Sequence, residues 1–484
     1  MFGLRKILLS VLLMMAACFF LIAVVFSSQR DDFLHSATFL DGLIKHGLTY
    51  YDQSRYFLRL GGSDYLPGLY GLLQAAILPA QVLEVVFHLD RCTYLARSPI
   101  VPCLLETLSL KAFTAFLALV WVVLLQKSLR LAAGRQGLYP GDSSLWQVSW
   151  RKAVKPTLYL LFFPPILYAT FLFGSYDGLG AFVTLIGGLL YFNSSLLVGH
   201  GSRRQALLRF CGLVLASIGV SAKFFPFILL LGTCIAFSRS WKDSFLGTGV
   251  PLMLTAGQIW VTQQSGGHPI RILGNKITEQ TSSLLYPRAA GLLLLFLYLL
   301  LLIYACSLSR NRLAIASLVV LGVFSLLFPS IHWHSQWQLY YGISLACSYA
   351  IIGPKGRSDV VLLALFTLQS VAFILITPFF ADNADITMAF STVSRELVPS
   401  FVATNILPDP LGRSMQLGWI IYGATQVAIL ITFTALFLRS VKTGASAQAA
   451  PGANSFCQVV HLVPGVVFLF SWYSFVFASM IKVG

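Results

Sequence analysis

Residues 7–26 run for twenty positions without a charged side chain. A helix rises about 1.5 Å per residue, so twenty residues cover the roughly 30 Å of hydrocarbon in a bilayer. In that solvent a helix satisfies its own backbone polar groups, whereas an isolated extended segment leaves them bare. Comparable runs recur at 106–126, 156–173, 176–195, 247–263, 289–308, 313–330, 338–353, 359–381, 415–438 and 458–480. Strands of a membrane barrel would be shorter and would alternate in polarity. Only 10% of the residues are charged, against about 25% in soluble proteins, and the mean hydropathy is +0.79. The pattern predicts an all-α polytopic membrane protein of about 11–13 transmembrane helices, a single membrane-embedded domain over 1–484. It excludes a soluble enzyme.

Charge orients the spans. The first run is too long for a signal-peptide core and has no clean cleavage site, so it reads as an uncleaved span behind Arg5 and Lys6, with a cytoplasmic N-terminus. The excess of 33 basic over 17 acidic residues would suggest a nucleic-acid partner if it formed one patch. With the spans alternating, 19 of those 33 fall in short inside loops together with only Asp142, Asp243 and Asp359. The excess is therefore membrane orientation, and no nucleic-acid partner is expected. Letting 66–89 cross would carry the basic stretch 127–155 outside, so this segment is placed as re-entrant or juxtamembrane within a first outer loop spanning 28–105. The apolar stretch 207–238 is too long for one span, and Lys223 and Pro226 interrupt it, which suggests a helical hairpin. Further outer loops are 264–288 and 382–414. Of the eight cysteines, Cys92 and Cys103 share a non-spanning outer segment, where a disulfide is expected; no metal-ligand spacing occurs.

Fourteen of the 17 acids fall on or near the outer face, and Asp31, Asp32, Asp41, Asp52 and Asp64 crowd the first outer loop. Asp31 and Asp32 directly follow the first span, where a carboxylate can meet a lipid-linked substrate and act as general base on a hydroxyl; a solvated stop signal is the plainer reading. Lys223 looks like an unpaired cation inside an apolar hairpin, which a phosphate at headgroup level would neutralise. His332 and His334 can donate to a phosphate, and Trp337 can stack on a sugar or belong to the interfacial belt. Asp177 stands at a turn, able to cap a helix or to contact substrate. Arg271 can bind phosphate or simply face solvent. Paired carboxylates can hold a divalent cation, but the sequence commits to no metal and no cofactor.

Four runs, in order, resemble motifs of the glycosyltransferase C superfamily of integral-membrane enzymes. Asp64-Tyr65-Leu66-Pro67-Gly68-Leu69-Tyr70 resembles its Asp-Tyr-Pro-Pro-Leu-Tyr signature, with Leu66 in place of the first proline. Gly174-Ser175-Tyr176-Asp177-Gly178 resembles its Gly-Gln-Tyr-Asp-Ala turn, with Ser175 for glutamine. Lys223 with Pro226 is similar to its Val-Lys-x-x-Pro hairpin, and His332-Trp333-His334-Ser335-Gln336-Trp337 to its His-x-x-Tyr/Trp segment.

The resemblance implies transfer of one sugar from a polyprenyl- or dolichyl-phosphate donor to a lipid-linked or surface glycan acceptor on the non-cytoplasmic side. Asp31 or Asp32 would be the catalytic base, Asp31 slightly favoured as the nearer to the span end. Lys223, His332, His334 and Arg271 would bind the donor phosphate; Asp64, Tyr65, Tyr176, Asp177 and Trp337 would line the substrate site. The expected location is a plasma or inner membrane, or the endoplasmic reticulum of a eukaryote. A lipid-linked glycan flippase or other transporter, and an O-antigen-type polymerase, are the alternatives.

Overall fold

In the computed structural model the described residues are 30–50, 66–88, 104–135, 164–167, 170, 177–198, 202–223, 225–238, 240–266, 288–308, 312–327, 338–352, 357–380 and 410–442. Every described element is helical. In chain order these are α1 (Arg30–His46), α2 (Pro67–Val86), α3 (Leu104–Arg135), α4 (Pro164–Leu167), α5 (Asp177–Val198), α6 (Arg203–Ala222) and α7 (Pro226–Phe237). They are followed by α8 (Trp241–Gln264), α9 (Arg288–Leu308), α10 (Arg312–Gly322), α11 (Gln338–Ile352), α12 (Arg357–Phe380) and α13 (Pro410–Lys442). A short π-helical turn, Val323–Leu327, continues α10. The expected spans at 7–26 and 458–480, and most of 156–173, lie outside the described residues.

Among the described residues five helices are long and apolar enough to cross a membrane: Pro67–Val86, Leu105–Leu129, Asp177–Ser195, Arg203–Ala222 and Ile420–Val441. Three shorter apolar helices accompany them. The chain is a helical, multi-pass membrane protein. Its inside-out surface fits: Phe210 on α6, Met253 and Trp260 on α8, and Phe296 and Ile303 on α9 are exposed large apolar side chains, which in water would be a heavy liability. Polar side chains instead face the interior, where Tyr298 on α9 donates to the Leu318 carbonyl and meets the Thr434 hydroxyl, joining α9, α10 and α13.

The centre is α5, of whose span 94% is buried. It packs against α6 through small residues, because between helices in lipid close backbone approach supplies most of the attraction. Gly180 on α5 meets Gly219 on α6, Gly187 meets Ala216 and Gly212, and Tyr191 meets Gly212, in antiparallel register. A methyl group added at Gly212 would lie 2.6 Å from the Tyr191 backbone nitrogen and 2.7 Å from the Gly187 carbonyl oxygen, neither of which can rotate away. We expect Gly212→Val to cost about 1–3 kcal/mol through forced helix separation, read as a lower thermal midpoint in detergent. Gly71→Ala, which would meet nothing within 4 Å, should leave the midpoint unchanged or slightly raised.

Side-chain contacts fix which helix ends lie together. At one end Arg209 on α6 pairs with Asp243 on α8, Arg312 at the start of α10 donates to the Ser238 carbonyl (2.7 Å) at the end of α7, and Tyr349 near the end of α11 bonds Asp359 in the first turn of α12. At the opposite end lie the start of α5, the end of α6 and the start of α11. Basic helix termini thus gather at one end of the bundle, and the pair described next lies at the other. α2 begins at that second end and runs along the first part of α3, where Ser109 donates to the Ala76 carbonyl (2.6 Å) and Gln81 to Glu106 (3.4 Å).

Candidate functional site

The helix break at Lys223 has a local cause. Pro226 disfavours continuation of α6, since its ring would crowd the carbonyl of Ala222 four residues back, and it suits the first position of α7, where its missing N–H costs nothing. The chain leaves α6 at Lys223 in an extended conformation. α6 runs antiparallel to α5 and α7 runs alongside α5, with Pro226 against Gly180 and Leu230 and Thr233 against Gly188, so the turn between them is set beside the first residue of α5.

That first residue is Asp177. Its Oδ1 lies 2.6 Å from Lys223 Nζ, with the two side chains 1% and 12% exposed. The Tyr340 hydroxyl, from the first turn of α11, donates to the same Asp177 oxygen at 3.2 Å. The sequence expectation of an uncompensated Lys223 is therefore corrected: its counter-ion is a residue of the chain itself, brought in by helix packing across 46 positions of sequence. Each charge also sits at the helix end that favours it, the carboxylate at the N-terminus of α5 and the ammonium at the C-terminus of α6. Tyr340 is held by ring contacts with Phe324 (5.9 Å, stacked) and Phe225 (5.8 Å).

Two features converge on this pair. Gly68, in the first turn of α2, donates its N–H to the Gln258 side chain on α8 at 3.1 Å and abuts Ser221, two residues before Lys223. Tyr70, two residues on, packs its ring 4.9 Å from Phe39 of α1. Helix α1, which carries Asp31 and Asp32, is thereby docked on the same end of the bundle as Asp177 and Lys223. Tyr50, just after α1, lies against Phe39, and burial together with the nearby Asp41 carboxylate raises its phenol above the ordinary value.

Sequence reasoning missed Lys111 on α3, which is 2% exposed. It stands one turn before Thr114, whose methyl group lies where a side chain at Gly178 would be, so α3 delivers a second buried lysine to the level of Asp177. The available signal was a cation inside an apolar run, itself a mark of function in membrane segments. Tyr340 was also missed, because a tyrosine in an apolar helix carries no distinguishing pattern.

Of the sequence-expected site residues, Asp177 and Lys223 are brought together, and Asp31 and Asp32 are placed on α1. Asp64, Tyr65, Tyr176, Arg271, His332, His334 and Trp337 lie outside the described residues, as do Cys92 and Cys103. Among the described residues no three His, Cys, Asp or Glu side chains gather as metal ligands. Comparison with protein-family models, curated proteins and solved structures finds no match to this chain.

Proposed function

We propose that the chain is a glycosyltransferase of the glycosyltransferase C type, with about 11–13 spans, acting on the non-cytoplasmic side of its membrane. The observation that carries the reading is the buried Asp177–Lys223–Tyr340 constellation at the end of the bundle where α1 docks with its two aspartates. An ammonium has three N–H donors, so Lys223 can serve Asp177 and a phosphate oxygen together. Asp177 and Tyr340 then act as positioning residues, fixing the cation where charge develops on the departing lipid phosphate. His332 and His334 add donors to that phosphate. Asp31 or Asp32 takes the proton from the acceptor hydroxyl, whose oxygen attacks the anomeric carbon as the bond to the lipid phosphate breaks, inverting the centre.

Purified protein given radiolabelled polyprenyl-phosphate hexoses and membrane extract should move label from donor to a glycan or glycolipid acceptor, one sugar at a time. No donor-dependent transfer with any hexose would end the reading, and a ladder of products would favour a polymerase. One observation favours a transporter instead: a buried ion pair at a helix break is a feature of carriers that move polar cargo. A transporter would move lipid-linked glycan across vesicles with Asp31 and Asp32 both changed to Asn.

A further inference from the structure

At the end of the bundle opposite Asp177, α6 and α8 lie side by side, tied by the Arg209–Asp243 ion pair. Arg209 also donates to the Tyr191 hydroxyl at 2.9 Å and covers its ring at 4.7 Å, so this arginine is committed to the interior. Arg312 is likewise committed to the end of α7. Arg203, Arg204 and Lys242 are not. All three are exposed, none forms an ion pair among the described residues, and Asp243, already held by Arg209, is the sole acid between residues 178 and 278. The basic groups also sit in the first turns of their helices, where the partial charge is positive and acids are the favoured residues. That arrangement is unfavourable unless something anionic is supplied.

What lies behind each cation identifies the supplier. On α6 the stripe headed by Arg203 continues at helical spacing through exposed Leu207, Phe210 and Val214. On α8 the stripe headed by Lys242 continues through exposed Phe245, Leu252 and Met253. Trp241, 74% exposed with the Lys242 ammonium 5.9 Å from its ring, stands where an indole anchors at a membrane–water boundary. Two apolar tracks on neighbouring helices, each capped by a cation, match two acyl chains joined to one negatively charged headgroup; a soluble anion would use the cations and leave the tracks idle.

We propose that this face of α6 and α8 is a binding site for an anionic phospholipid, with Arg203, Arg204 and Lys242 on the headgroup phosphate and the Phe210 and Phe245 stripes against the chains. The inference is independent of the glycosyltransferase reading. The test is native mass spectrometry and thermal shift of the whole protein in detergent, titrated with phosphatidylglycerol, with phosphatidylcholine of the same chains, and with glycerol phosphate. Wild type should prefer phosphatidylglycerol over phosphatidylcholine by roughly ten- to a hundredfold at low salt, with the preference shrinking as salt rises. Arg203→Gln/Arg204→Gln/Lys242→Gln should erase that preference, and Arg357→Gln, an equally exposed arginine at the same end on α12, should retain it. Phe210→Ser/Phe245→Ser should weaken both lipids while glycerol phosphate remains a poor competitor. An unchanged preference in the triple variant would overturn the proposal, as would equal binding of the two lipids or full displacement by glycerol phosphate.

Discussion

Asp177→Asn is expected to lower the stability of the folded protein by about 3–5 kcal/mol, the usual consequence of leaving one member of a buried ion pair without its partner. Lys223 is the charge left behind, 12% exposed at the end of α6, with little water to turn to. Lys223→Met should cost as much or slightly more, because the stranded carboxylate, 1% exposed, has even less access to solvent. The helix termini soften both losses by roughly 0.3–1 kcal/mol, since each favours the charge that remains. The informative variant is Asp177→Asn/Lys223→Met. With both charges gone the desolvation penalty vanishes, and stability should return to within about 1–2 kcal/mol of wild type, a coupling that a double-mutant cycle of thermal or denaturant unfolding in detergent measures directly. Additive losses would mean that the pair does not interact as described. The same double variant separates structure from function. If Lys223 meets a donor phosphate, the refolded-stable double variant has no transfer activity, and an active one would remove Lys223 from the chemistry while leaving the ion pair intact as a structural feature.

Replacing the catalytic one of Asp31 and Asp32 by Asn is expected to reduce sugar transfer by about 10²–10⁴-fold with donor binding largely kept, and replacing the other to reduce it far less. The motif resemblance leans towards Asp31, the residue nearer the span end. Both aspartates lie on α1 rather than in an open loop. Phe39 is fully buried and meets Tyr70 beside the Lys223 end of α6. A merely structural role for either aspartate, as a favourable charge at a helix N-terminus, predicts about 0.3–1 kcal/mol of lost stability and unchanged transfer. Initial-rate assays with the labelled donor, alongside donor binding and thermal midpoints, tell these apart. Full activity in both single variants would dismiss this site, and Asp64 would become the candidate base.

The class of the protein was legible from residues alone, and the reason is the solvent. Lipid offers no hydrogen bonds, so a run such as 7–26 or 176–195 has few structures open to it. The break in 207–238 was legible too, since Pro226 disfavours a continuous helix and Lys223 stands beside it in an otherwise apolar stretch. Basic termini such as Arg203, Lys242, Arg312 and Arg357 carried a topological message that helix packing gathers at one end of the bundle. What the sequence left open was which polar groups meet. Lys223 looked solitary because its counter-ion, Asp177, is 46 residues away on another helix, and their encounter depends on the Gly180–Gly219 and Gly187–Gly212 contacts that set the register of α5 on α6. Tyr340 and Lys111 reach the same level from helices further along and further back, with no local signal to announce them. The choice between Asp31 and Asp32 belongs to the same kind of information: it turns on where α1 starts and which of its faces docks, and docking is settled by packing between helices, to which local sequence contributes only the small residues that permit it.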